Sequence, residues 1–378
     1  MSQIDPGTSS WLRTRNDREA LRLFFEHGAL TRTRLGELSG MSKPTATQMI
    51  ARLERAELLH PVGEVAGSRG PSAVSWGVRD DQVTGVAVNM LDDGIHAVLV
   101  DALGGEHPIV EVPVLGEERS PERDVGRAIQ AACAASGADP RKVETVAVGL
   151  QAAVSGDADS LSLTDSLPGW PPSGSRALIE SSLGVSATLE NDVNLATMAE
   201  RSFGVARAAG SFAFLWIGVG LGVGIDLGGV IHRGAHGGAG EIGYLTVAAG
   251  PGEPGSVTTA LLGSPFISAL AGTARYPSGI SHLSDDEDAL REIARRVAIT
   301  LEPVLAVLDP QLVVLGGPTA LAGGVRLAGL VAEGARSDGR PMPEVRLSGT
   351  GASSVLAGAR SLVVEQIRSR LEDRIPTQ

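Results

Sequence analysis

The stretch LWIGVGLGVGIDLGGVIHRGAHGGAGEIGY, Leu215–Tyr244, decides how the rest of the chain is read. It opens on an apolar strand, continued upstream as SFAFLWIGV, and a second strand, GVGIDLGG, follows after a Gly-rich turn. Apolar and β-branched residues bounded by glycines are what a strand pair requires. The run GVGLGVG, 218–224, permits two readings: a backbone able to approach a phosphate, or close packing of strands where side chains would not fit. The apolar segment FAFLWIGVGLGVGI is too short and too rich in glycine to span a bilayer, so no membrane role is expected.

Working outward, strands alternate with helices over most of the chain. VTGVAVNM, GIHAVLVD and HPIVEVPV read as three successive strands, PERDVGRAIQAACAAS as a helix and VETVAVGL as a strand. A second set contains the quoted pair, a long helix DEDALREIARRVAITLEPVLAVL with Ser284 as its cap and Glu287 three residues on, and the strand QLVVLGG. Two such halves, each a mixed sheet flanked by helices, place a ligand in the cleft between them.

Composition agrees with an α/β protein of more than one domain. The 378 residues include 49 Gly, with 43% hydrophobic and 3% aromatic residues. Cys133 is the single cysteine, which excludes an intrachain disulfide or a multi-cysteine zinc site and points to a reducing, cytoplasmic setting. The net charge of −12 is unevenly spread: residues 1–80 carry 11 Lys/Arg against 9 Asp/Glu, so +2, leaving −14 for the remainder. A mildly basic head on an acidic body allows nucleic acid as a partner of the head alone.

That head, residues 11–80, has three helical stretches. Leu21, Phe24 and Phe25 mark the first, with Asn16 or Asp17 as its start; Leu35 and Leu38 follow Thr31 as cap of the second; Ile50 and Leu53 lie on one face of the third, with Ser42 as cap and Pro44 in its first turn. Gly40 lies in the intervening turn. In a helix-turn-helix the second helix presents its first residues to base edges, here Lys43, Thr45, Thr47 and Gln48. HPVGEVAGSRGPSAVSWGV then reads as two strands, a wing whose tip residue Arg69 can enter a minor groove. Without the wing, the same residues describe equally a small helical subdomain with a solvated basic face. The strand pair favours DNA.

The quoted stretch resembles the signature of the ROK family of repressors and sugar kinases. DSLPGW at 165–170, ENDVN at 190–194, LDPQLVVLGG at 308–317 and GASSVLAGA at 351–359 follow the family's order. The resemblance covers nearly the whole chain. It implies an actin-like body, residues 81–378, of two lobes with ribonuclease H-like sheets flanked by helices, preceded by a winged helix-turn-helix domain as in the family's regulators.

Departures from the family's kinases are as informative as the matches. Their Asp-x-Gly-Gly-Thr phosphate turn has Ala87 at the aspartate position, no Gly-Gly-Thr follows, and Asp92 and Asp93 occupy an exposed hairpin turn whose charge repels phosphate. Tyr244 stands where the zinc-binding histidine is usual, and Ser256 where the last cysteine would be, so no metal is expected. Of the sugar-contacting set, Asn191, Asp192 and Glu241 match, Tyr244 replaces His, Thr258 replaces a later Glu, and Ser166 replaces an Asn. His232 and His236 read as loop residues.

Taken singly, Asp192 can be a catalytic base, a grip on a sugar hydroxyl or a helix cap. In the context of the family the expectation is a hydroxyl grip without catalysis or cofactor. The expected protein is a homodimeric or tetrameric repressor with a palindromic double-stranded operator and a sugar-like effector. Two other classes remain compatible with the residues: a sugar kinase retaining Asp192 as base, and a regulator without effector whose body serves only to dimerise.

Overall fold

In the head, helix α1 (Ser9–His27), the short strand β1 (Leu30–Thr31), α2 (Arg32–Ser39) and α3 (Lys43–Arg55) precede an antiparallel ribbon of β2 (Leu59–Gly67) and β3 (Gly70–Val78), with β1 pairing to β3. The computed structural model describes residues 9–67, 70–114, 119–155, 159–162, 167–248, 254–272, 283, 286–334 and 343–376. Thr31 and Ser42 cap α2 and α3 as expected, their side chains accepting from the N–H groups of Arg34 (3.3 Å) and Thr45 (3.4 Å). Gly40 takes the left-handed conformation that ends α2.

The start expected for the first helix is corrected. The chain is already helical at Ser9, and Asp17, only 4% exposed, receives the Arg52 guanidinium at 2.7 and 2.6 Å. A carboxylate is tolerated inside a helix when a fork of donors from a neighbouring helix neutralises it. The pair ties α3 to α1.

The first lobe contains β4 (Thr84–Met90), β5 (Gly94–Val100), β6 (Val110–Pro113), α4 (Pro121–Ser136), β7 (Val143–Leu150), the hairpin β8 (Ala153–Ser155) and β9 (Ser160–Ser162), α5 (Ser175–Leu183), β10 (Ser186–Asn191) and α6 (Asp192–Ser202). The second contains β11 (Ser211–Ile217), β12 (Leu221–Leu227), β13 (Val230–Ile231), the hairpin β14 (Thr246–Ala248) and β15 (Gly255–Val257), α7 (Thr258–Leu262), α8 (Ser264–Leu270), α9 (Glu287–Leu308), β16 (Leu312–Gly316), α10 (Gly317–Gly334) and β17 (Glu344–Leu347). Helix α11 (Ser354–Asp373) then returns to pack on β4, β5 and β7 of the first lobe.

The two five-stranded sheets share one topology. Their orders are β6-β5-β4-β7-β10 and β13-β12-β11-β16-β17, with the first three strands of each antiparallel and the last two added in parallel. The cap expected at Ser284 lies outside the described residues. Asp286 caps α9 instead, accepting from the Ala289 N–H at 2.9 Å, and its charge adds to the stabilisation of a helix N-terminus.

Between the sheets run α6 and α11. They bury one face of each sheet, through Ala87, Val98 and Ala147 on one side and Phe212, Phe214 and Val314 on the other. Phe212 and Phe214 are at most 1% exposed, and each contributes roughly 1.5–3 kcal/mol by burial. The Gly-rich strand in the opening stretch faces α6: a Cβ at Gly224 would stand 1.7 Å from Thr197 Oγ1. Close helix packing therefore accounts for that glycine. The same apolar cluster continues through Ile367 and Leu371 of α11 to Leu21, Phe24 and Phe25 of the head.

Candidate functional site

At the end of β10 the chain turns directly into α6, so the residues of the turn project into the space between the lobes. Asn191 is the N-cap; its Oδ1 accepts from the Asn194 N–H at 3.1 Å. Its Nδ2 donates to the Ala152 carbonyl (3.0 Å) and to Glu241 Oε1 of the second lobe (3.4 Å). Asp192 opens the helix, 9% exposed, with Oδ1 accepting from the Val193 N–H at 2.8 Å.

Burial pushes the Asp192 carboxyl up to about 7; the Val193 N–H works against that rise and the nearby charge of Glu241 adds to it. Burial raises Glu241 as well. Asp192 can therefore carry its proton near neutrality, and in either form it hydrogen-bonds a hydroxyl. With the Asn191 amide and the Glu241 carboxylate, the group suits vicinal hydroxyls.

Two further expected contacts, Thr258 and Tyr244, lie on the elements that follow Glu241. Thr258 is fully buried at the start of α7, where its hydroxyl donates to the Ile242 carbonyl and its N–H to the Leu245 carbonyl (2.8 Å). It holds the turn that follows Glu241 in this conformation. Tyr244 is 57% exposed at the end of a 3-10 turn, Ile242–Tyr244. The segment expected to lack a zinc loop is closed by β14 and β15, with Ser256 opposite Val247. Ser166 lies outside the described residues.

Asp92 and Asp93 are exposed at the β4–β5 hairpin turn, as their sequence suggests. Sequence reasoning missed what supports that turn. Arg119, 5% exposed, donates to the carbonyls of Leu91 (3.0 Å) and Asp92 (3.2 Å) and to Asp124 Oδ2 (3.1 Å), which also accepts from the Trp170 indole at 3.0 Å. Also missed were Glu190 and Arg233, paired across the lobes at 2.6 Å. Their separation of 43 residues leaves no local signal.

On the head, Lys43 and Gln48 are exposed on the first turns of α3, with Thr45 and Thr47 half-exposed beside them. The Thr47 hydroxyl donates to the Lys43 carbonyl (2.9 Å), and the Thr45 hydroxyl lies 2.9 Å from that of Ser42. Arg69 lies outside the described residues. The head meets the body through α1 and α11: Arg22 grips Glu372 at 2.8 and 3.1 Å, and the Arg368 guanidinium stands 5.0 Å from the Phe25 ring while donating to the Ala102 carbonyl at 2.8 Å.

Residues 110–366 match the model of the ROK family, and residues 14–60 that of the MarR family. The chain is 20% identical to the xylose repressor of Caldicellulosiruptor bescii over 254 residues, covering 64% of this chain and 61% of that repressor. It thus spans about three-fifths of that relative's length. It is 31% identical to the bifunctional enzyme NanE/NanK of Brucella suis over 156 residues, 38% of this chain and 28% of the enzyme. Among solved structures, a ROK family transcriptional regulator described as a homolog of the E. coli MLC protein superposes with a TM-score of 0.71 at 17% identity, covering 96% of this chain and 99% of that one. A ROK family glucokinase from Streptomyces griseus, in complex with glucose and AMPPNP, gives 0.59 at 22% identity, covering 75% and 99%. At these identities the two superpositions concern the fold alone.

Proposed function

Because the chain belongs to the ROK family, we propose that it is a sequence-specific DNA-binding transcriptional regulator, a repressor whose grip on its operator is relieved by a sugar or sugar-derived effector in the cleft between the lobes. The head, over about residues 11–80, binds DNA; the body, 81–378, senses. One observation carries the reading: α11 packs along α6, which Asn191 caps and Asp192 opens, and also holds α1 of the head. An effector that favours one lobe arrangement then biases the heads, and a coupling of about 1–3 kcal/mol suffices. Two heads on a homodimer or tetramer fit a palindromic operator.

Selection of bound fragments from genomic DNA by the full chain, followed by footprinting in the presence of individual sugars, tests this. A footprint that no pentose, hexose, amino sugar or sugar phosphate alters would refute the sensing role. No footprint at all would refute the regulator.

A second reading, a sugar kinase, is favoured by one feature: a carboxyl near 7 has the pH range of a general base. Against it, the aspartate pair at the β4–β5 turn is ill suited to hold a phosphate, and positioning supplies most of the catalysis in phosphoryl transfer. Turnover of any hexose with ATP and magnesium would reverse this preference.

A further inference from the structure

Among the described residues, the loop from His232 to Glu241 in the second lobe meets the first lobe at its start, middle and end. At its start, Arg233 sends Nε (2.8 Å) and a terminal nitrogen (2.6 Å) to Glu190 Oε2. In its middle, Gly237 lies so close to β8 that a Cβ there would stand 2.1 Å from the Val154 carbonyl oxygen. At its end, Glu241 Oε1 meets Asn191 Nδ2 at 3.4 Å.

The second oxygen of Glu190 is turned to its own lobe, accepting from the Asn191 N–H at 3.0 Å and from Asn194 Nδ2 at 2.9 Å. One buried carboxylate therefore serves both lobes. Its side chain is 6% exposed, whereas that of Arg233 is 41% exposed. If the lobes part, the guanidinium returns to water while the carboxylate keeps two donors. That asymmetry makes the contact releasable, unlike a fully buried pair whose rupture strands both charges.

We infer that Glu190 and Arg233 form an interlobe clasp that sets the closure of the cleft, and with it the approach of Asn191 and Asp192 to Glu241. Both are positioning residues, and neither has to touch a ligand. The consequence for sensing rests on the effector reading above; the clasp itself does not.

Amide hydrogen exchange on the full chain, first without any sugar, compares the wild type with Arg233→Ala, Arg233→Lys and Glu190→Gln. Arg233→Ala should speed exchange roughly tenfold at residues 190–194 and 234–241 together, with the head unchanged. Arg233→Lys should restore part of the protection, and Glu190→Gln should fall between the alanine variant and the wild type. Acceleration confined to 234–239, or spread through the entire second lobe, overturns the clasp. Titration with D-xylose, D-glucose and N-acetyl-D-glucosamine follows. A midpoint weakened about tenfold in Arg233→Ala supports the positioning role. An equal midpoint in both proteins overturns it and leaves the effector reading standing. If no sugar protects either segment of the wild type, the effector reading falls and the clasp stands on the sugar-free result.

Discussion

Asp192 shows how a single residue can weaken the fold in which it sits. Its carboxyl is raised from an ordinary 3.8 to about 7, chiefly by burial, so the folded chain holds this proton more tightly than the unfolded chain. Stability must then fall as pH rises through that interval, and the loss is complete above about 7. Asp192→Asn removes the ionisation; the variant should gain about 1–3 kcal/mol over the wild type at pH 8 and little at pH 4, measured by urea unfolding. The same variant should lose its response to effector while retaining operator affinity. At the DNA face, Gln48→Ala should cost about 1–3 kcal/mol on the preferred operator and less on others, whereas Lys43→Ala should weaken all DNA evenly and reduce the salt slope by about 1. Equal losses for both on random DNA would exclude base readout by Gln48. The motifs pointed to Asn191, Asp192 and Glu241 by residue type, and the fold brings the Asn191 amide to 3.4 Å from Glu241. The buried state of Thr258 could not, since it depends on the Ile242 carbonyl that the fold brings to its hydroxyl.

Elements were legible wherever one periodicity dominated. PERDVGRAIQAACAAS is α4 residue for residue and VETVAVGL is β7, because Pro121, Gly137 and the β-branched run mark their ends without help from distant parts of the chain. The start of α1 was not, because Asp17 resembles a cap until Arg52 is placed opposite it. Ser42→Ala should cost the head about 1 kcal/mol through loss of its N-cap, seen as a lower melting midpoint of the head. The glycines of β12 read in sequence as a phosphate turn or as packing, and the helix lying against them decides for packing. Gly224→Ala should therefore destabilise the body by about 1–3 kcal/mol in thermal unfolding, whether or not any anion is present.

At the scale of the whole molecule, two sheets of one topology enclose α6 and α11, and the head rests on the end of α11. Arg368→Ala removes both the contact with Phe25 and the hydrogen bond to Ala102, and should lower stability by about 1–2 kcal/mol. Its larger effect should be on coupling: operator affinity within a few-fold of wild type, but insensitive to sugar in a fluorescence anisotropy titration. Unchanged sensitivity would remove α11 from the route between cleft and head. By itself the sequence determined the winged head, the alternation of strand and helix and the aspartates at the β4–β5 turn. Each of these is written in local spacing or residue type. Only the tertiary structure decided that the C-terminal helix returns to the first lobe, that Arg233 meets Glu190, and that Asp192 is buried enough to hold a proton near neutrality. Those outcomes join residues tens to hundreds of positions apart, and desolvation is a property of everything packed around a group, which no local pattern records.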